Sequence, residues 1–321
     1  MQQAALDIQR ELATVIVGYE DVLRGVLIAL LAGGNTLLEG APGLGKTLLV
    51  RTLGQIMQLK YSRIQFTPDL MPADIIGTNV LVESDTGHRR FVFQQGPVFG
   101  NVVLADEINR ASPKTQSALL EAMQESSVTV GIAAYPLPQP FFVLATQNPI
   151  EMAGTYPLPE AQLDRFLFKL NVAFPSNADL TEIVLRTTAA APYHVRSLAD
   201  ATTVLEMQRV ARQVPVASSV LDYAVRLVAA TQPTRPEAPR LVRDNVRYGA
   251  SPRGAQGLVL AAKITAFLDG RLNVSYDDVR SVAEPVLRHR LILNVDAEVG
   301  GVEADGLIAA VLGHVAEELA G

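Results

Sequence analysis

Apolar positions along the chain recur with two different periods. From Gln2 to Leu12 they return at the spacing of a helix face, and Val17-Gly18-Tyr19 breaks the pattern. A second helical run extends from Glu20 to about Leu31, where Gly33-Gly34 stops it. Short apolar runs then alternate with helical ones. Strands are predicted around Leu37 and over Arg63–Phe66, Val102–Ala105, Phe141–Ala145 and Leu167–Val172, and helices over Thr47–Gln58 and Pro113–Glu125. This alternation predicts an α/β domain with a mostly parallel sheet covered by helices. Two segments exceed it. Thr78–Glu83 and Arg89–Phe93 flank Ser84-Asp85-Thr86-Gly87, a hairpin signature, and a second hairpin is expected between Val128 and Pro138.

After Phe174-Pro175-Ser176 the strand signal fades and helical periodicity runs to the C-terminus, which puts the domain boundary at 175/176. Helices are predicted over Asp179–Thr188, Ala199–Gln213, Ser218–Thr231, Pro252–Leu268, Tyr276–Arg288 and Asp305–Leu319, with the proline-punctuated Pro233–Asn245 as an exposed loop. The expected organisation is an α/β core over 1–175 and an all-helical domain over 176–321.

The 321 residues and a 49% hydrophobic fraction suffice for about two domains with a sizeable core. The longest near-apolar stretch, Val22–Ala32, is interrupted by Arg24 and is too short to cross a bilayer; with no signal-peptide layout at the start, a cytoplasmic protein is expected. The absence of cysteine excludes disulfides and thiolate chemistry, and a net charge of -6 offers no footprint for nucleic acid. His88, His194, His289 and His314 share no ligand spacing with one another or with carboxylate clusters, so no histidine-held metal site is expected.

The chemistry concentrates at Gly40-Ala41-Pro42-Gly43-Leu44-Gly45-Lys46-Thr47, which fits the phosphate-loop pattern between a strand and a helix. Glycines let successive N–H groups turn toward a phosphate, Lys46 reaches its outer oxygens, and the Thr47 hydroxyl suits Mg²⁺. Asp106 and Glu107 end an apolar strand, where ligands sit in open parallel sheets. Asp106 suits the metal and Glu107 the attacking water, although either acid could instead serve as a helix cap. Asn148 emerges from another strand at the same edge, as an amide able to bind both γ-phosphate and water, within an Asn-Pro turn signal. Arg165 and Arg253 are cations for a transferring phosphoryl group, and Arg253 opens a helix that Ser251 caps and Pro252 starts. Within one subunit, Arg165 could instead pair with Asp164 or Glu160. Thr67–Asp74 reads as a loop for contacting a partner protein.

These segments resemble the MoxR family of AAA+ ATPases. LLEGAPGLGKT, IQFTPDLMPADIIG, FQQGPVFGNVVLADEINRASPKTQSALLEAMQE, ATQNPIEMAGTYPLPEAQLDRF and GASPRG occur in family order. The resemblance implies a P-loop NTPase core with hairpin insertions and a helical lid. It makes Gly40 to Thr47, followed by Leu48, the Walker A segment, Asp106 and Glu107 the Walker B acids, Asn148 sensor 1, Arg165 the arginine finger and Arg253 sensor 2. Val17 and Gly18 correspond to the segment that packs on adenine. Asn35 and Ala41 stand where relatives often carry His and Val, and Gly254 replaces a common Ala.

The resemblance further implies ATP/ADP and Mg²⁺ as ligands, a ring that is usually hexameric, and action on partner proteins, among them VWA-domain proteins. The resulting expectation is a Mg²⁺-dependent ATPase with chaperone-like remodelling or maturation activity. A nucleic-acid-dependent motor and a nucleotide-switched scaffold without useful turnover are the alternatives. Whether Arg253 serves its own subunit or the next is open at this level.

Overall fold

The computed structural model of the protein describes residues 1–83, 89–148, 155–188 and 194–315. The strands, in chain order, are β1 (Thr36–Glu39), β2 (Tyr61–Gln65), β3 (Gly77–Glu83), β4 (Arg89–Gln95), β5 (Val102–Asp106), β6 (Ser127–Val130), β7 (Ala133–Pro136), β8 (Phe142–Gln147) and β9 (Phe168–Asn171). Five of them form one sheet in the order β2-β5-β8-β1-β9, and every pairing is parallel. All its strands therefore end at the same edge.

Period-two alternation explains why these runs read as continuously apolar. Leu38, Val102, Leu104, Phe142 and Leu144 face one buried layer, while Leu37, Val103, Ala105, Val143 and Ala145 face the other. The predicted hairpins are present as β3–β4 and β6–β7, both antiparallel. The Ser84-Asp85-Thr86-Gly87 turn and His88 lie outside the described residues.

The helix Glu20–Ala32 carries the core into the second domain. Gly33, at φ 71°, terminates it in a left-handed cap. Its apolar residues are buried almost all round, and it packs against Ala201–Arg212 and Pro252–Leu268. One hydrophobic layer thus runs unbroken from the sheet into the helical domain. The last strand of the sheet ends at Asn171, and the next helix spans Asn177–Thr188.

Local differences from the sequence reading have local causes. Pro233–Asn245 is not a loop throughout: Arg240–Asn245 is helical, with Pro239 as its N-cap. Tyr276–Arg288 divides at Val282 into Tyr276–Ser281 and Ala283–Leu287; Pro285 removes an N–H that a continuous helix would need. The helical domain also holds a short antiparallel ribbon of Val246–Tyr248 and Ile292–Leu293, and Ala304–His314 is helical, the rest of the expected run to Leu319 lying, from 316 on, outside the described residues. Thr67–Asp74 runs into a short helix, Pro72–Ile76, whose start is held by the Met71 N–H donating to Asp74 at 2.9 Å. No helix among the described residues is long and apolar enough to cross a membrane.

Candidate nucleotide site and a second arginine cleft

A cavity of about 240 Å³ at the C-terminal edge of the sheet is lined by Pro42, Gly43, Leu44, Gly45, Lys46, Thr47, Arg63, Asp106, Glu107, Thr146 and Asn148. The predicted phosphate loop, both acids and Asn148 therefore meet in one place. The loop's conformation follows from its glycines. Gly43 and Gly45 have φ of 81° and 76°, which L side chains rarely adopt, and Gly45 is the N-cap of the helix Lys46–Ile56. Gly40 is needed for another reason, since a Cβ there would meet the Val172 carbonyl oxygen at 2.7 Å. Lys46 Nζ donates to the Gly40 carbonyl at 2.6 Å. Burial pushes its pKa down, against the pull of Asp106, Glu107 and Glu39.

The acids are held by neighbours that sequence reasoning missed. Thr146, fully buried on β8, donates through Oγ1 to Asp106 Oδ1 at 2.7 Å and accepts the Glu107 N–H at 2.8 Å. Glu107 sits at φ 57° and ψ 51°, left-handed for a residue with a side chain, a conformation costing on the order of 1–3 kcal/mol. It carries the carboxylate out of the β5 line and into the cavity. There Gln65 Nε2 and Arg110 donate to Glu107 Oε2 at 3.1 and 2.9 Å. Arg63 donates to Asp106 Oδ2 at 2.6 Å. The parallel register of β2 with β5 sets Gln65 opposite Asp106, which is why both β2 side chains reach the acids.

Beside this cavity lies a more apolar one of about 250 Å³ that shares Gly43, Leu44 and Gly45 with it. Val17 and Leu48 line it, together with Tyr19, Phe174 and Ile183. Gly18 is not itself among its lining residues. Its φ is 77°, and a Cβ would meet the Asp179 side chain at 2.6 Å, so it lets the N-terminal segment close against the helix Asn177–Thr188. A triphosphate end joined to an apolar end is the shape of a nucleotide.

Arg165 and Arg253 lie elsewhere. They line a separate cleft of about 290 Å³ with Gly34, Asn35, Asp164, Leu167 and Arg290. Asn35 immediately precedes β1 and Leu167 immediately precedes β9, so this cleft opens at the N-terminal edge of the sheet, opposite the phosphate loop. Arg165 donates to the Leu120 carbonyl at 3.1 Å, and Asp164 instead engages Arg290 at 2.9 Å and Arg253 at 3.5 Å. Arg253 is thus not among the residues lining the phosphate-loop cavity of its own chain. Asn35, the departure from a common His, is buried and accepts the Val143 N–H at 2.8 Å.

Comparison with known proteins agrees with this geometry. Residues 35–168 match the profile of the ATPase family associated with various cellular activities (AAA), and residues 239–309 match that of the AAA lid domain. The chaperone MoxR1 of Mycobacterium tuberculosis is 43% identical over 316 residues, covering 98% of this chain and 82% of that protein. The protein MoxR of Methylorubrum extorquens is 32% identical, with 91% and 88% covered. A crystal structure of a Cytophaga hutchinsonii protein put forward as an ATPase superposes with a TM-score of 0.91 at 40% identity, covering 98% of this chain and 95% of that one. A nucleotide-shaped cavity behind a phosphate loop, in a chain so similar throughout to these proteins, makes this protein an ATPase that belongs to the MoxR family of AAA ATPases.

Proposed function

We propose that this chain is a Mg²⁺-dependent ATPase that closes into a ring, hexameric as the family resemblance suggests, and uses turnover in the cytoplasm to remodel or mature partner proteins. The reading rests most on one observation: the two arginines suited to a transferring phosphoryl group occupy the edge of the sheet opposite the chain's own phosphate loop. Strand β1 alone separates the edges by four residues, roughly 13 Å, more than an arginine side chain spans. In a head-to-tail ring each subunit would offer Arg165 and Arg253 to the next one's cleft.

Within one cleft the residues divide the work. The amides of the phosphate loop and Lys46 hold the triphosphate, and Val17, Leu48 and Phe174 pack on the base. Thr47 and Asp106 present hard oxygen donors in the same cavity, a set that fits Mg²⁺. Bound there, the metal would neutralise charge on the phosphate oxygens. Glu107 Oε2 accepts the proton of the attacking water, oriented by Gln65 and Arg110, while Asn148 holds that water against the γ-phosphate. Partner contact fits the hairpins, where Leu81, Phe91 and Ile132 are exposed; by resemblance the partner is a VWA-domain protein with its client.

The test is a mixed ring. Arg165→Ala alone should bind ATP normally and lose about 10³-fold or more in turnover. Mixing it with Lys46→Ala subunits, which have an intact finger and a dead cleft, should restore part of that turnover. Verified mixed rings without recovery would overturn the trans arrangement.

A further inference from the structure

The lid segment Arg288-His289-Arg290 is laid along the stretch that carries Arg165. Arg288 donates to the Lys169 carbonyl at 3.2 Å and pairs with Asp305 at 2.9 Å. His289 Nε2 bonds the Phe166 carbonyl at 3.0 Å, which makes Nε2 the protonated nitrogen. Arg290 goes further. Its side chain is 3% exposed, and a guanidinium has five N–H donors to satisfy. Its Nε donates to Asp164 Oδ1 at 2.9 Å, one terminal nitrogen to the Leu167 carbonyl at 3.2 Å and to the Val286 carbonyl, and the other to the carbonyls of Phe166 at 2.7 Å and Asp164 at 3.2 Å. Every donor has an acceptor, and all but Val286 belong to residues that bracket Arg165 in sequence.

The same carboxylate reaches the second arginine. Ser251 Oγ donates to Asp164 at 2.9 Å, Arg253 lies 3.5 Å from it, and Ser251 caps the helix that Arg253 opens by accepting the Arg253 N–H at 3.2 Å. Gly254 sits in close packing next to this network, since a Cβ there would stand 3.1 Å from Ala250 Cβ and 3.2 Å from Leu287 Cδ2.

We propose that Arg290, acting through Asp164, is the positioning residue that fixes Arg165 and Arg253 in one register, so that the finger segment and the helical lid travel as a single body. The inference rests on the trans reading above. Any shift of the Pro252–Leu268 helix and the Arg288-His289-Arg290 segment then moves both arginines together. A burial made merely for stability would not need to direct its donors to the residues flanking the finger.

Asp164→Asn tests this, because it keeps the shape and removes the charge that Arg290 and Arg253 share. Purified rings of this variant should bind a fluorescent ATP analogue as the unmodified ring does and lose turnover on the order of 10- to 100-fold, the scale of a misplaced catalytic group. Arg290→Lys, which keeps charge but not the planar fork, should do the same. Since the fault lies in what the subunit offers its neighbour, Lys46→Ala subunits should restore turnover to either variant and Arg165→Ala subunits should not. Unchanged turnover in a folded, assembled Asp164→Asn ring would overturn the proposal. So would a defect that Lys46→Ala subunits fail to relieve while they still relieve Arg165→Ala; failure to relieve both would instead condemn the trans reading itself.

Discussion

The two clefts at opposite edges of the sheet are built on opposite principles. The phosphate cleft is a surface of unspent capacity. Its glycines hold open space at positive φ, its acids are paired with half-exposed arginines such as Arg63, and Glu107 is held in a strained backbone geometry. The arginine cleft has its capacity spent, with Arg290 buried and every donor engaged. A region that must bind and release a polyanion each cycle keeps its partners exchangeable. One that must present a cation at a fixed place to another molecule keeps its scaffold saturated and rigid.

The largest expected effect falls on the exchangeable side. Glu107→Gln preserves the hydrogen-bonding shape that Gln65 and Arg110 recognise but cannot accept a proton. Turnover should fall by about 10² to 10⁴-fold while nucleotide affinity stays within a few-fold, read by steady-state phosphate release beside equilibrium binding. A variant that loses affinity as much as turnover would make Glu107 part of the binding surface and erase the distinction between holding and reacting groups. Because it should stall with nucleotide bound, the same variant is the one from which to co-purify a partner.

The two clefts also differ in how far sequence alone could disclose them. The phosphate loop is a local device, a left-handed glycine pair followed by a helix start, so Gly40 to Thr47 can be found from spacing. The acids follow from an apolar run with polar residues at its end. Arg63 and Gln65 escape notice because they reach Asp106 and Glu107 through the register of β2 on β5, some forty residues apart. Thr146 looks like ordinary β-sheet content until β8 is set beside β5. Arg290 is harder still: a charged residue just past a helical run reads as a solvated face, and all its acceptors but Val286 lie more than 120 residues upstream. At the level of elements, proline misleads in both directions. Pro239 starts a helix where it suggests a loop, and Pro285 accompanies a break where the periodicity suggests one long helix. Arg165 and Arg253 can be picked out as cations, yet their edge of the sheet is a property of the topology.

An intermediate effect probes the rigid side by pH. His289 is fully buried against Phe166, with Nδ1 lacking a hydrogen-bond partner among the described residues, and burial with help from Arg290, Lys169 and Arg288 holds its pKa well below the usual value. The unfolded chain, titrating near about 6.5, therefore binds more protons in the mildly acidic range than the folded one does. Stability gained from the neutral ring is complete above that value and declines as pH falls below it, by about 1 kcal/mol between roughly pH 6.5 and 5.5. Thermal melts of the protein and of His289→Gln across that window should diverge by this amount, with the variant's profile flatter. Parallel profiles would mean that the histidine is reachable by protons, and that the lid contact opens more readily than its saturated hydrogen bonds imply.

The smallest expected effect sharpens what exchangeable means. Arg63 pairs with Asp106 at 2.6 Å, yet 47% of its side chain is exposed, so the pair is screened and worth no more than about 1 kcal/mol. Under the proposed function, Asp106 is wanted by Mg²⁺, and Arg63 competes for the same carboxylate. Arg63→Ala should then lower the Mg²⁺ concentration giving half-maximal turnover by up to about 5-fold, measured by metal titration at saturating ATP. The opposite shift carries as much information. If the variant needs more Mg²⁺, or loses turnover at every Mg²⁺ concentration, then Arg63 is a cation for the phosphates and not a stand-in on the acid. The cleft would then hold a positive charge of its own beside Lys46, and its dependence on a neighbour's arginines would be correspondingly smaller.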